Sequence, residues 1–227
     1  MSAERISAII PVRDGELYIE EAIDSILAQT RVPEQVIVVD DGSSDGTAER
    51  VTGYGDAVAL LRRGPGGVGA ALNTGLDVAD GDLISFLDAD DLWAPRKLEL
   101  QGEALASDQN LDLVFGRVEQ FFSPELSHEE RSRLRPPFGN QPAKMKGTML
   151  IRREAFERVG RFPTGWRIVD FVDWYARAQE QRLSELMMDE VVLRRRLHRS
   201  NISRSRQESR TEYASAMGAL LRRRRKP

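Results

Sequence analysis

The sequence predicts an α/β fold, a doubly wound and mostly parallel sheet with helices on both faces. Three observations predict it. Strand-like and helix-like stretches alternate four times before Asn110. The strand-like stretches are near-continuous apolar runs, the pattern of strands covered on both faces. Two of the runs end in clustered aspartates, at residues 40–41 and 88–91. In such sheets ligands sit beyond the carboxyl ends of the strands.

ISAIIPV (6–12) is the first buried strand. ELYIEEAIDSILAQT (16–30) follows as a helix with Leu17, Ile19, Ala22, Ile23, Ile26 and Leu27 on one face. QVIVVDD (35–41) is the second strand, and SDGTAERVTGY (44–54) opens a short helix with Asp45 and Thr47 suited to cap it. AVALLRR (57–63) is the third strand. GGVGAALNTGLDVADG (66–81) is a helix with a glycine-rich start and a stop at Gly81. DLISFLDADD (82–91) is the fourth strand, and APRKLELQGEALAS (94–107) is a helix with Pro95 in its first turn. LDLVFGRVEQFF (111–122) is a fifth strand. The polar, proline-rich stretch 123–144 reads as a long loop or lid. Residues 146–160 read as a strand turning into a short helix, 170–183 as an amphipathic helix, 186–198 as extended chain, and the tail from Gln207 as helical. No repeat or clean linker divides the chain, so one domain over 1–227 is expected.

Composition narrows the function. The chain has no cysteine, which excludes disulfides, thiolate zinc sites and cysteine nucleophiles and fits a reducing compartment. A net charge of −3 argues against nucleic-acid binding through the whole surface. The N-terminus reaches Pro11 after a short apolar run, unlike a signal peptide, and no apolar stretch approaches the roughly 20 residues that span a bilayer. A cytoplasmic protein is expected. The basic segment 194–226 is either a solvated helix with a frayed tail or a contact for an anionic partner, such as a membrane surface met peripherally.

Three motifs carry chemistry. In ISFLDADDLW (84–93) a strand ends in paired carboxylates. If the chain stays extended, Asp88 and Asp90 project the same way. Paired hard oxygens suit Mg2+ or Mn2+, which bridges phosphate oxygens; the alternative is a set of turn formers, which fits Asp91 best. In VIVVDDGSSDGT (36–47) a strand-end carboxylate is placed to accept from a ribose hydroxyl or a base N–H, beside glycines that allow close approach. GPGGVGAALNTG (64–75) lacks the lysine of a phosphate loop, and its glycines serve close helix–strand packing equally well.

The ordered set of these motifs, with SAIIPVRDGELYIEEAIDSILAQT and GTMLIRREAFERVGRF, resembles family 2 nucleotide-sugar glycosyltransferases of the GT-A fold. The resemblance implies that Pro11, Val12 and Arg13, with Asp40, border the nucleoside. It makes Asp88, Ala89 and Asp90 the DxD motif, with Asp90 the direct ligand of Mg2+ or Mn2+, and His198 a candidate further ligand. It divides the chain into a nucleotide-sugar half (1–110), an acceptor half (111–206) and a basic tail (207–227). It implies an inverting, metal-dependent hexosyltransferase acting from a nucleoside diphosphate sugar on an acceptor hydroxyl. Two positions depart from the family. Ala71-Leu72-Asn73 lacks the arginine often found there. Aligned on Arg177, the usual catalytic aspartate falls on Phe171, so Asp173 or Asp170 must serve as base. Asp173 is preferred, because helix capping alone accounts for Asp170. Among Arg194, Arg195 and Arg196 only some can reach a diphosphate, and Trp93, Trp166 and Trp174 suit core packing better than sugar stacking. Two other readings remain: a nucleotide-binding module without catalysis, favoured by Phe171, and an aspartyl-nucleophile phosphatase, disfavoured because its DxD sits on the first strand.

Overall fold

The computed structural model describes residues 4–134, 139–164 and 170–199. The tail expected to be helical, its basic cluster and Trp166 lie outside them. Among the described residues no helix is long and apolar enough to cross a membrane.

The four expected strands are β1 (Ile6–Val12), β2 (Gln35–Asp40), β3 (Ala59–Arg62) and β4 (Leu83–Phe86), joined by α1 (Ile19–Leu27), α2 (Thr47–Thr52) and α3 (Val68–Val78). They pair in parallel in the order β3-β2-β1-β4. The chain winds outward from β1 to β3, then returns to set β4 on the other side of β1. That reversal opens a crevice at the carboxyl ends of β1 and β4. Further on, β5 (Leu92–Trp93), α4 (Lys97–Ser107), β6 (Leu113–Phe122), β8 (Leu150–Arg152), α6 (Arg153–Val159), α7 (Asp170–Glu180) and β9 (Glu185–Leu197) extend the sheet as β4-β8-β6-β9-β5. Here the pairing is mixed: β8 runs antiparallel to β4 and β6, whereas β9 runs parallel to β6 and antiparallel to β5.

The two faces of the sheet are both buried, and the strand period explains how. Ile6, Ala8, Ile10 and Val12 join one apolar cluster with Ile19, Ala22, Ile23 and Ile26 of α1 and Leu98 and Leu105 of α4. Ile9 points the other way, into a cluster with Leu72 and Leu76 of α3, Phe156 of α6 and Trp174 of α7. Each fully buried aliphatic or aromatic side chain stabilises the fold by about 1.5–3 kcal/mol. Gly75 lets α3 settle on the sheet, since a Cβ there would lie 2.6 Å from Ile9 Cγ2. The glycines of 64–75 thus include the packing role weighed from the sequence.

Three local expectations are corrected and a fourth is refined. Leu17 is 77% exposed, because residues 15–18 form a turn and α1 starts only at Ile19. The stretch 123–144 contains α5 (His128–Leu134) and β7 (Gln141–Ala143), the latter paired with β6. β4 stops at Phe86, and residues 88–91 form a turn closed by Asp91 N–H donating to Asp88 O at 3.1 Å. Finally, the cap position of α2 is Gly46, which has no side chain; Asp45 caps from one residue earlier, its Oδ1 accepting from Thr47 N at 3.1 Å. Asp45 and Thr47 also lace the start of α2 to the loop after β1, accepting from Glu16 N at 3.1 Å and Gly15 N at 2.9 Å.

Candidate active site

The crevice has two walls at the ends of β1 and β2. Val12 pairs in register with Asp40, and Asp41 N–H donates to Val12 O at 2.8 Å. Pro11 and Val12 are buried, and Arg13 is exposed beside Asp14. The two aspartates face different tasks. Asp41 is buried and accepts from the N–H groups of Gly66 and Gly67, at 3.0 and 2.7 Å, so it pins the glycine loop ahead of α3. Gly67 has φ +88°, which a glycine adopts freely. Asp40 is fully buried. Its Oδ1 accepts from Ser43 N at 2.8 Å, while Oδ2 accepts no hydrogen bond and lies 3.4 Å from Arg62 Nε. Leaving a buried acceptor without a hydrogen bond costs about 1–3 kcal/mol, and the Arg62 guanidinium beside Asp40 Oδ2 offsets part of that.

The third wall is the turn at 88–91, where Asp88, Ala89 and Asp90 are half-buried. β5 pairs antiparallel with β9, Leu92 opposite Arg194. Extending that register two residues sets Arg196 across from Asp90. Arg196 is 1% exposed; its backbone N–H donates to Asp91 Oδ1 at 2.8 Å, its Nε to Asp90 O at 3.0 Å, and its side chain reaches Glu21. This clamp fixes the turn and carries the end of β9 to it. His198 Nε2 then lies 2.9 Å from Asp90 Oδ2, with the Tyr18 ring 4.8 Å from the imidazole. Burial pushes the Asp90 carboxyl up, but the His198 hydrogen bond and charge outweigh it and hold it below the usual range. Burial pushes Asp88 up, with the charges of Asp90 and Asp170 adding to it and Lys146 opposing. Burial, then Asp90 and Asp88, push Asp91 well up.

Asp170 and Asp173 lie three residues apart on α7, so they share one side of the helix. Asp170, Trp174 and Ala178 share its buried face, with Phe171 packed on Phe115, Trp174 and Tyr175. Asp170 is 2% exposed, and its Oδ2 accepts no hydrogen bond. Asp173 is less buried than Asp170 and pairs with Arg177 at 3.1 Å. Lys146 Nζ lies 3.2 Å from Asp88 Oδ1 and 3.6 Å from Asp170 Oδ2. Thus Lys146 brings Asp88 and Asp170 together and Asp90 meets His198, whereas Asp173 meets Arg177. Trp93 and Trp174 are core residues, 2% and 0% exposed.

A divalent cation was tested against these groups. Among the described residues no three His, Asp or Glu side chains form a group able to hold one. Mg2+ and Mn2+ are usually held by one or two carboxylates with substrate phosphates supplying the rest. Half-exposed Asp90 beside His198, with Asp88 across the turn, fits that donor set. Sequence reasoning missed Lys146 and the loop-pinning role of Asp41, and it weighed Arg196 only as a diphosphate contact, not as the clamp on the 88–91 turn. The glycine pair 66–67 following a doubled aspartate was a usable signal for Asp41. A lone lysine ahead of Gly147 offers none.

Comparison with known proteins agrees with this architecture. Residues 7–160 match the model for glycosyl transferase family 2. An uncharacterized glycosyltransferase of Rickettsia typhi is 31% identical over 95% of this chain and 71% of its own length. The Escherichia coli UDP-Glc:alpha-D-GlcNAc-diphosphoundecaprenol beta-1,3-glucosyltransferase WfgD is 35% identical over 50% of this chain and 46% of its own. Among solved structures, the Pyrobaculum calidifontis mannosyltransferase PcManGT in complex with GDP-Man and Mn2+ superposes with a TM-score of 0.74 at 24% identity, covering 98% of this chain and 65% of that one. S. aureus TarS 1-349 in complex with UDP-GlcNAc superposes with 0.69 at 18%, covering 89% and 62%. The chain therefore spans less than two thirds of either solved relative, and the shared fold is the GT-A arrangement. With the family model matching residues 7–160 and a relative 31% identical over 95% of the chain, this chain belongs to glycosyl transferase family 2.

Proposed function

We propose that the chain is an inverting, metal-dependent glycosyltransferase that moves a hexose from a nucleoside diphosphate sugar to an acceptor hydroxyl. The observation that carries this is the meeting of a donor-side carboxylate, Asp88, and an acceptor-side carboxylate, Asp170, across a single lysine. Residues 1–110 bind the donor: Pro11, Val12 and Arg13 border the nucleoside and Asp40 Oδ2 accepts from it. Asp90, with His198 against it, and Asp88 would supply the protein's one or two carboxylate oxygens for Mg2+ or Mn2+, which when bound neutralises charge on the leaving diphosphate. Residues 111–206 shape the acceptor site. Asp170 takes the proton of the acceptor hydroxyl as that oxygen bonds to the anomeric carbon. The bond from that carbon to the diphosphate breaks on the opposite face, which inverts the centre.

The test is incubation of the full chain with UDP-glucose, UDP-GlcNAc and GDP-mannose, each with Mn2+ and without. Metal-dependent release of nucleoside diphosphate from one donor is expected. Binding of all three without release, also in the presence of acceptor candidates, would leave a nucleotide-binding module instead. Asp40→Asn should weaken binding of UDP or GDP by about tenfold, with or without Mn2+, because it removes a charged acceptor rather than a metal ligand. An unchanged dissociation constant by calorimetry would return Asp40 to its turn with Ser43.

A further inference from the structure

Lys146 opens the one-turn 3₁₀ segment Lys146–Thr148 that leads into β8. Its side chain is 13% exposed, and its ammonium stands between Asp88 of the donor half and Asp170 of the acceptor half. A cation drawn this far from water persists only with anions at hand. Burial by itself would push Lys146 down; the charges of Asp88 and Asp170 overcome that and hold it above the ordinary lysine range. Across the turn, Asp90 faces His198 rather than Asp88. The two aspartates that resemble a metal pair therefore have different partners, and the lysine is the partner of one.

Asp88 Oδ1 meets an ammonium and a divalent cation poorly at once, because the two cations repel at contact range. Resting on the reading of residues 88 and 90 as the metal-bearing pair and Asp170 as the base, we infer that Lys146 is a positioning residue that competes with the divalent cation for Asp88. Asp88 passes from Lys146 to the cation when the diphosphate arrives, and Lys146 is left holding Asp170 for the acceptor. The free chain then binds the cation weakly. The diphosphate, whose oxygens complete the coordination, strengthens that binding, and by linkage the cation strengthens diphosphate binding equally.

The experiment reads Mn2+ binding by electron paramagnetic resonance on the full chain, with no sugar donor and no turnover. Without nucleotide, Lys146→Met should bind Mn2+ about tenfold tighter than the unaltered chain, and Asp170→Asn should bind it more weakly, since Lys146 then falls wholly to Asp88. Charge alone predicts those signs, so the double variant decides. In the Lys146→Met background, Asp170→Asn should alter Mn2+ affinity by less than about twofold, whereas simple through-space charge would make the two effects add. Additive effects, or an unchanged affinity in Lys146→Met, overturn the inference. If Lys146→Met does not fold, Lys146→Gln carries the same expectation with a polar group kept near Asp170. Mn2+ binding by the unaltered chain with UDP or GDP checks the underlying reading separately: its absence sinks both, while its presence with additive variants sinks only the role of Lys146.

Discussion

Asp170→Asn should lower sugar transfer by about 10²-fold or more while leaving the dissociation constant for the nucleoside diphosphate within about twofold. Asparagine keeps the shape of the side chain and removes its basicity. Three features support Asp170 as the group that takes the acceptor's proton. It lies on the inward face of α7, in step with Trp174 and Ala178. Its Oδ2 is buried without a hydrogen bond, so an acceptor hydroxyl can donate to it. And it shares Lys146 with Asp88, which sets it beside the proposed donor site. Asp173→Asn is the comparison. Its carboxylate is committed to Arg177, which also donates to Val159 O and Arg161 O. Losing that mostly buried pair should cost about 1.5–3 kcal/mol of stability, read by denaturant melts, and little turnover. Should Asp173→Asn be the variant that loses transfer, the assignment reverses. Should neither lose it, the base lies elsewhere in the acceptor half.

How much of this was legible depended on whether the cause was local. β1 was read to the residue, because a seven-residue apolar run closed by Val12 leaves no choice of register. The inward face of α1 was read except for Leu17, where the periodic pattern continued one turn past the helix start into a turn set by Gly15. The strand period was likewise carried too far at Asp88. The alternation argument assumed extended chain, whereas a turn sends Asp88 toward Lys146 and Asp90 toward His198. Asp88 and Asp90 reach the same crevice, but not for the reason the period supplied. Lys146 was illegible because its partners come from the turn after β4 and from α7 by tertiary packing, which no local pattern records. The nearness of His198 to Asp90 follows from the β5–β9 register, again a long-range pairing. The helix and strand inside 123–144 were hidden by its prolines and charges, although β7 needs only three residues to pair with β6.

Asp90→Ala should abolish the extra thermal stabilisation that Mn2+ gives to UDP or GDP binding, while the fold and the metal-free nucleotide effect remain. The fold should survive because the turn is held from outside the Asp90 side chain. Arg196 donates to the backbone oxygen of Asp90 and to Asp91 Oδ1, and neither contact needs the Asp90 carboxylate. Asp90 is also half-exposed, so truncation opens no sealed cavity. Removing its charge even lessens the push on Asp91, where burial acts first and Asp90 next, and one of the pushes on Asp88. Cation binding has no such reserve. The carboxylate facing His198 is the hard oxygen nearest the imidazole, and Asp88 alone remains, shared with Lys146. A ligand raises the melting temperature by mass action, so a hundredfold loss of affinity at fixed ligand removes up to about 2.7 kcal/mol of apparent stabilisation. The measurement is the shift produced by each nucleotide with and without Mn2+ in the unaltered chain and in Asp90→Ala. In the variant the two shifts should coincide. If Asp90→Ala keeps the full Mn2+-dependent increment, Asp90 is not the ligand, and the cation must be held by Asp88 with a donor outside the 88–91 turn.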